Sequence, residues 1–233
     1  MHPERALILR APVLFCAVLT GLAFAVGGEL GFSRSVTPGL SDYYARLFGQ
    51  DARGRLRGWK DFVRSTASRA AQAPGSGGEV GLLDPANGFF NRLPSITDLV
   101  HWGVEDYWAT PSEFLASNGG DCEDYAIAKY FTLKELGVPL SRLRMVYAQT
   151  WRADGAHMVL AYYPSLGAEP LILDNLEGSI RPASERPDLI PVYAFNDDDL
   201  TFSQKGGLAV RFDAQSIRKW RGVLDKLARE LTY

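Results

Sequence analysis

The run Asn118-Gly119-Gly120-Asp121-Cys122-Glu123-Asp124 constrains this chain more than any other stretch. Two adjacent glycines halt whatever precedes them, and an apolar-periodic run begins at Cys122. Ala126, Ile127, Tyr130, Phe131 and Leu133 share one broad face, while Glu123, Lys129 and Lys134 fall off it. Gly137 and Pro139 then stop the run, as a helix C-terminus requires. The spacing predicts a helix with a cysteine in its first turn. Unpaired backbone N–H groups and the helix dipole favour negative charge there, so the thiol is expected to ionise below its ordinary value of about 8.5. A structural cysteine sits more often in the middle of an apolar stripe; this one is placed like a nucleophile.

A thiolate nucleophile needs a base, and the base needs an orienting group. The chain has three histidines, His2, His101 and His157. His2 lies in a leader, and His101 sits in a helical pattern (Ile96, Leu99, Val100, Gly103, Val104, Tyr107) that reads as packing or surface. His157 follows an Asp154-Gly155 turn and heads the strand-like run Met158 to Tyr163, where a sheet presents it to the helix start. A second strand-like run, Leu171 to Leu173, ends in Asp174-Asn175, from which a carboxylate reaches the imidazole. Cys122, His157 and Asp174 are the candidate catalytic residues, on helix, strand and strand end.

The leader bears on the cysteine count. Arg5 and Arg10 precede an apolar stretch from Ala11 to Val26, and Ala23-Phe24-Ala25 fits an export-signal cleavage site. The expected organisation is a signal peptide over 1–25, an N-terminal helical segment and linker over 26–81, and a catalytic core with a C-terminal helix over 82–233. The apolar stretch is shorter than the roughly 20 residues of a bilayer-spanning helix; an uncleaved anchor is the alternative. Of two cysteines, Cys16 leaves with the signal, so the mature chain keeps Cys122 alone. A lone thiol in an exported protein is either reactive or a core residue, and its position favours the reactive reading. With a net charge of −2, nothing points to nucleic acid as a partner.

Residues 40–72 carry Tyr43, Tyr44, Leu47, Phe48, Leu56, Trp59, Phe62 and Val63 among arginines, which predicts one or two amphipathic packing helices broken near Gly49 and Gly54. Residues 73–81 form a Gly/Ser-rich connector. Ser95 with Asp98 resembles a capping box, and Thr110-Pro111-Ser112-Glu113 is a second one with proline at the first helical position. Leu143 to Trp151 reads as a strand hairpinned through Ala153-Asp154-Gly155 to the His157 strand, and short loops imply antiparallel pairing. Pro182, Pro187 and Pro191 suggest a long surface connection. Asp213 is placed to cap a final helix with the stripe Ile217, Trp220, Leu224, Leu227 and Leu231.

Asp121, Glu123 and Asp124 crowd the nucleophile. One reading makes Asp121 an N-cap, Asp124 the partner that completes its box, and Glu123 a first-turn acid. Three negative charges beside a thiol nevertheless raise its pKa, against the effect of the helix start. A divalent cation would remove that conflict, and oxygen-only ligands favour calcium over zinc. No EF-hand spacing is present, so the spacing alone is not diagnostic.

The segment Gly120-Asp121-Cys122-Glu123-Asp124-Tyr125-Ala126, with His157 heading a strand and Asp174 closing the next, resembles the bacterial transglutaminase-like cysteine peptidases, and among them the LapG-type periplasmic adhesin-cleaving proteases. The likeness takes in Tyr107-Trp108, Thr110 to Leu115, and Pro191 to Asn196, and spans roughly residues 85–200. It implies an α+β, papain/transglutaminase-like fold with the nucleophile helix packed on an antiparallel sheet. It implies a Cys122–His157–Asp174 triad, and calcium dependence carried by the segment with Asp121, Glu123 and Asp124. It also implies a large surface adhesin as substrate, cut near its N-terminus after a pair of alanines. The implied partner is the periplasmic domain of an inner-membrane cyclic-di-GMP receptor that sequesters the protease. Two other readings stay open: the same triad transferring the acyl group to an amine, and a non-enzymatic calcium-binding adaptor.

Overall fold

The computed structural model describes residues 36–72, 77–153, 155–165, 167–197, 200–202, 210–212 and 217–233, the two short segments 200–202 and 210–212 by their backbone only. The expected leader with His2 and Cys16, residues 73–76 of the connector, Asp154 and the Asp213 cap lie outside the described residues.

Thr37 opens the first helix, α1 (Pro38–Phe48): its hydroxyl accepts from the Leu40 N–H at 3.1 Å, and Pro38 follows at the first helical position. Gly49, at φ +87°, ends α1, and α2 (Asp51–Gln72) starts almost at once. The expected break at Gly54 does not occur. Gly54 lies exposed inside α2, where one glycine weakens a helix by about 1 kcal/mol without ending it. Then come α3 (Leu83–Phe90), the single turn α4 (Asp98–His101), α5 (Pro111–Ser117), α6 (Cys122–Glu135) and, after the strands, α7 (Arg218–Glu230).

The strands are β1 (Leu143–Thr150), β2 (Gly155–Tyr162), β3 (Leu171–Leu173), β4 (Arg181–Pro182), β5 (Leu189–Phe195), β6 (Leu200–Phe202) and β7 (Val210–Phe212). They form one sheet in the order β4-β3-β2-β1-β5-β6-β7, with every neighbouring pair antiparallel. The hairpin pairs Ala148 with His157 and Thr150 with Gly155. The α+β arrangement expected from the sequence is the one observed. Pro187 lies exposed between strands, as expected, but the other two prolines fall within strands. Pro182 sits in the short edge strand β4, and Pro191 lies inside β5, opposite Ala148 and beside a register shift between Tyr147 and Ala148. A proline cannot donate to a ladder, and a local irregularity is where a strand tolerates one.

Helix α6 packs against β1 and β2 on one side and against α3 and α5 on the other. Ten consecutive residues, Asp124 to Leu133, are buried. Ile127, Tyr130 and Leu133 join Leu143, Met145, Leu160 and Trp220 in the core against the sheet. Tyr125 and Ala128 join Leu40, Leu56, Trp59 and Phe114 in a second core against the N-terminal helices. The Trp59 indole N–H also donates to the Thr132 hydroxyl of α6 at 3.0 Å. Lys129, which falls off the apolar face in the sequence, is 1% exposed, its ammonium 5.7 Å from the centroid of the Tyr125 ring. Each large side chain buried this way contributes about 1.5–3 kcal/mol. In α7 the expected stripe buries Trp220 and Leu227, and adds Val223 and Glu230, while Leu231 is exposed.

Candidate active site

The approach to Cys122 is built by caps and close contacts. At the start of α5 the Thr110 hydroxyl accepts from the Glu113 N–H at 3.0 Å, and Glu113 accepts from the Thr110 N–H at 2.9 Å, completing the expected box. The other expected box is absent: Thr97, not Ser95, precedes α4, and the Asp98 carboxylate accepts from the Tyr107 N–H instead. Asn118, in the left-handed conformation, ends α5. Gly119 follows at φ +142°, where a Cβ would lie 2.6 Å from the Pro94 carbonyl oxygen. At Gly120 a Cβ would lie 2.1 Å from the Asp124 carboxylate. The two glycines therefore let the chain pass between the Pro94 backbone and a buried carboxylate. Asp124 accepts from the Ala109 N–H at 2.7 Å and from the Asp121 N–H at 3.3 Å, which fixes the turn into α6.

Cys122 is the first residue of α6 and is partly exposed. Its thiol donates to Glu123 Oε2 at 3.1 Å, and the Met158 N–H is directed at the sulfur. Met158 follows His157, so the sulfur lies against β2 beside the histidine. Burial first, then Glu123 and Asp121, push the thiol well above its ordinary pKa, with the Met158 amide acting the other way. The sequence sets a helix start that lowers this pKa against three acids that raise it; in the structure burial joins the Glu123 and Asp121 carboxylates, and together they outweigh the helix dipole.

His157 is 2% exposed, and its Nε2 lies 2.7 Å from Asp174 Oδ1. Asp174 directly follows β3, and its Oδ1 also accepts from the Leu176 N–H at 2.9 Å. The Asn91 side-chain amide donates to the Asp174 backbone carbonyl at 2.8 Å. Burial alone would raise the Asp174 pKa. The His157 hydrogen bond and charge, the Leu176 amide and Arg186 outweigh it and hold the carboxyl below its ordinary range. The structure thus joins His157 to Asp174 directly and seats Cys122 against the strand residue next to His157. His101 lies elsewhere, half-buried and edge-on to Trp102 at 4.7 Å.

Around the thiol the acids form overlapping groups. Oxygens of Asp98, Asp121 and Asp124 lie within 4.8 Å of one another, as do those of Asp98, Asp106 and Glu123. Burial, then Glu123, raises the Asp121 pKa to about 8; burial raises that of Asp98 to about 6. Glu123 is raised and Asp124 strongly raised, both by burial first. One oxygen each of Asp98 and Asp121 is buried without a hydrogen-bond partner. Unsatisfied buried carboxylate oxygens and a donor set of oxygens fit a hard divalent cation. Asp121, Glu123 and Asp124 all belong to these groups; the Ala109 and Asp121 amides take one lone pair on each Asp124 oxygen and leave the others for a cation.

Sequence reasoning missed Asp98, Asp106, Lys129, Arg186 and Asp188. Asp98 opens the single turn α4, where the sequence offers it only as the partner in a capping box, and Asp106 lies in the loop that follows; nothing local ties either to the Asp121 turn. Lys129 falls off the apolar face of its helix, and nothing in the sequence places it in the core. Arg186-Pro187-Asp188 was read as surface connection, although an Arg and an Asp two apart match the spacing of a local ion pair.

Residues 79–188 match the family model of the bacterial transglutaminase-like cysteine proteinases. The fold matches solved structures of Legionella pneumophila LapG. The EGTA-treated form is 38% identical with a TM-score of 0.67, covering 81% of this chain and 96% of that one. The calcium-bound form is 38% identical with a TM-score of 0.63, covering 80% and 98%. A third LapG structure is 37% identical with a TM-score of 0.66. A comparison with curated proteins finds no match.

Proposed function

Because the chain belongs to the bacterial transglutaminase-like cysteine proteinases, we propose that it is a calcium-dependent periplasmic endopeptidase that cuts a large surface adhesin near its N-terminus and so promotes biofilm dispersal. The observation that carries the reading is the buried His157–Asp174 pair, 2.7 Å apart, on the strand against which the helix-start cysteine lies.

With Nε2 engaged by Asp174, Nδ1 is the ring nitrogen that exchanges a proton with the thiol. His157 takes the Cys122 proton, and the thiolate attacks the scissile carbonyl carbon. His157 then protonates the leaving amine, and a thioester to Cys122 remains. Water adds to that thioester with His157 again as base, and the peptide acid leaves as Cys122 is restored. Asp174 fixes the ring and stabilises the imidazolium. The Cys122 N–H, at the helix start and without an intrahelical acceptor, is one oxyanion donor. Asp121, Glu123 and Asp124, with Asp98 and Asp106 nearby, are the residues that would hold the cation. Calcium supplies positive charge there, which offsets the carboxylates that hold the thiol protonated. Support for calcium is that Legionella LapG has been solved both calcium-bound and EGTA-treated.

Export by the Ala11–Val26 leader puts the enzyme in the periplasm, where the periplasmic domain of a cyclic-di-GMP receptor sequesters it. The test uses recombinant N-terminal adhesin fragments with purified protein. Cleavage is expected in Ca²⁺, is lost in EGTA and in Cys122→Ser, and is blocked by the receptor domain. Full cleavage by Cys122→Ser would overturn the reading.

A further inference from the structure

Behind Asp174 lies a buried guanidinium that no step above uses. Arg186 is 4% exposed, in the short loop between β4 and β5. Its Nη2 donates to Asp174 Oδ2 at 2.8 Å. Its Nε and Nη2 donate to the two oxygens of Asp188 at 2.9 and 2.7 Å. Asp188 is itself 3.7 Å from Arg152. We propose that Arg186, clamped by Asp188, is a positioning residue of this active site: it fixes the plane of the Asp174 carboxylate so that Oδ1 faces the His157 ring.

The division of Asp174's oxygens argues for this. Oδ1 carries His157 and the Leu176 amide, and Oδ2 carries Arg186, so neither oxygen can rotate without breaking a bond. The fork on Asp188 in turn stops the guanidinium from swinging, which a single contact would allow. A surface ion pair would not need this geometry; here both the guanidinium and the Asp174 carboxylate are withdrawn from water. Charge agrees with geometry. Asp174 and Asp188 are negative and Arg186 positive, so the resting cluster carries one net negative charge, which the imidazolium of His157 neutralises during turnover. The other charged group that bears on Asp174 is Lys129 of α6, whose pKa burial lowers to about 7 while Asp174 acts to raise it. A lone ammonium, without a planar pair of donors, does not replace the fork.

The inference rests on the triad reading, and the experiment separates the two. Arg186→Met, Arg186→Lys, Asp188→Asn and Asp174→Asn are compared by melting temperature, by kcat and KM on an adhesin N-terminal fragment, and by the low-field proton signal of the His157 ring across pH. Arg186→Met should lower kcat by roughly 10- to 100-fold with KM little changed, a size usual for groups that orient catalytic ligands. The acid edge of kcat, and the pH at which the ring proton signal is lost, should move up by about 1 unit, since an opposite charge beside Asp174 is gone. Arg186→Lys should restore the acid edge and only part of kcat. If Arg186→Met does not fold, Asp188→Asn decides, with a smaller kcat loss and a weakened ring signal expected. A folded Arg186→Met, or failing that Asp188→Asn, with native kcat and ring signal overturns the proposal, provided Asp174→Asn is impaired. If Asp174→Asn is itself fully active, the triad reading falls instead.

Discussion

Gly120→Ala tests how the nucleophile turn is held. The new Cβ would sit 2.1 Å from Asp124 Oδ2 and 2.9 Å from its carboxyl carbon. The Asp124 side chain is fully buried and tied to the Ala109 and Asp121 amides, so it cannot step aside cheaply. Either the carboxylate abandons those bonds, at about 1.5–3 kcal/mol for each hydrogen bond to a charged group, or the backbone shifts, at about 1–3 kcal/mol for overpacking. The smaller route dominates, so a loss of about 1–3 kcal/mol is expected. In a domain of this size that is a drop of roughly 2–12 °C in melting temperature. Gly120 does not have positive φ, so the effect is steric and not a backbone penalty. Circular dichroism melts in EGTA give the value without metal linkage. Gly58→Ala, on an exposed face of α2 with open space around it, is the control and should be neutral or stabilising by a few tenths to about 1 kcal/mol. A Gly120→Ala protein that melts within about 2 °C of wild type would refute the argument from magnitude.

Other predictions concern charge and catalysis. In EGTA, stability should fall as pH rises from about 5 to 8: Asp98 and Asp121 have folded pKa values raised to about 6 and about 8, above the unfolded range, so the folded state binds the extra protons. Ca²⁺ should flatten that slope, though not remove it, because the buried Glu230 is also raised, to about 7, and lies in a different place; Glu230→Gln should remove its share. A melting temperature independent of pH in EGTA would contradict these assignments. His157→Ala should cost more kcat than Asp174→Asn, on the roughly 10²- to 10⁴-fold scale of a general base, with His101→Ala nearly silent; an inactive but folded His101→Ala would misplace the base. Ca²⁺ should restore EGTA-treated activity better than Mg²⁺ and stabilise by about 2.7 kcal/mol at one hundred times its Kd; equal rescue by Mg²⁺ would point to a smaller octahedral site.

The parts legible in the sequence are those with a local code. The Thr110 box, the Leu143–Thr150 and Leu171–Leu173 strands and the start of α6 at Cys122 all follow from caps, alternation and turn residues within a few positions. The strand position of His157 and the strand-end position of Asp174 come from the same signals. What stayed hidden depends on long-range neighbours. The burial of Lys129 was hidden because periodicity along one helix cannot reveal what tertiary packing brings over a polar position. Asp98 reaches the Asp121 turn from 23 positions earlier, and Arg186 reaches Asp174 from 12 later. Pro191 reads as part of a surface connection but lies in a strand beside a register shift. At the thiol the helix dipole and the three acids were both legible, but the burial that tips its pKa upward was not.

The central claim is that Cys122 hydrolyses a peptide bond, and the direct test is to sequence the termini formed when an adhesin N-terminal fragment is incubated with enzyme, Ca²⁺ and a labelled primary amine. The account predicts one new N-terminus following a pair of alanines, a matching product that ends in a carboxylate, and neither in Cys122→Ser. Intact substrate carrying the amine label, with no new N-terminus, would contradict it and make the chain an acyl transferase.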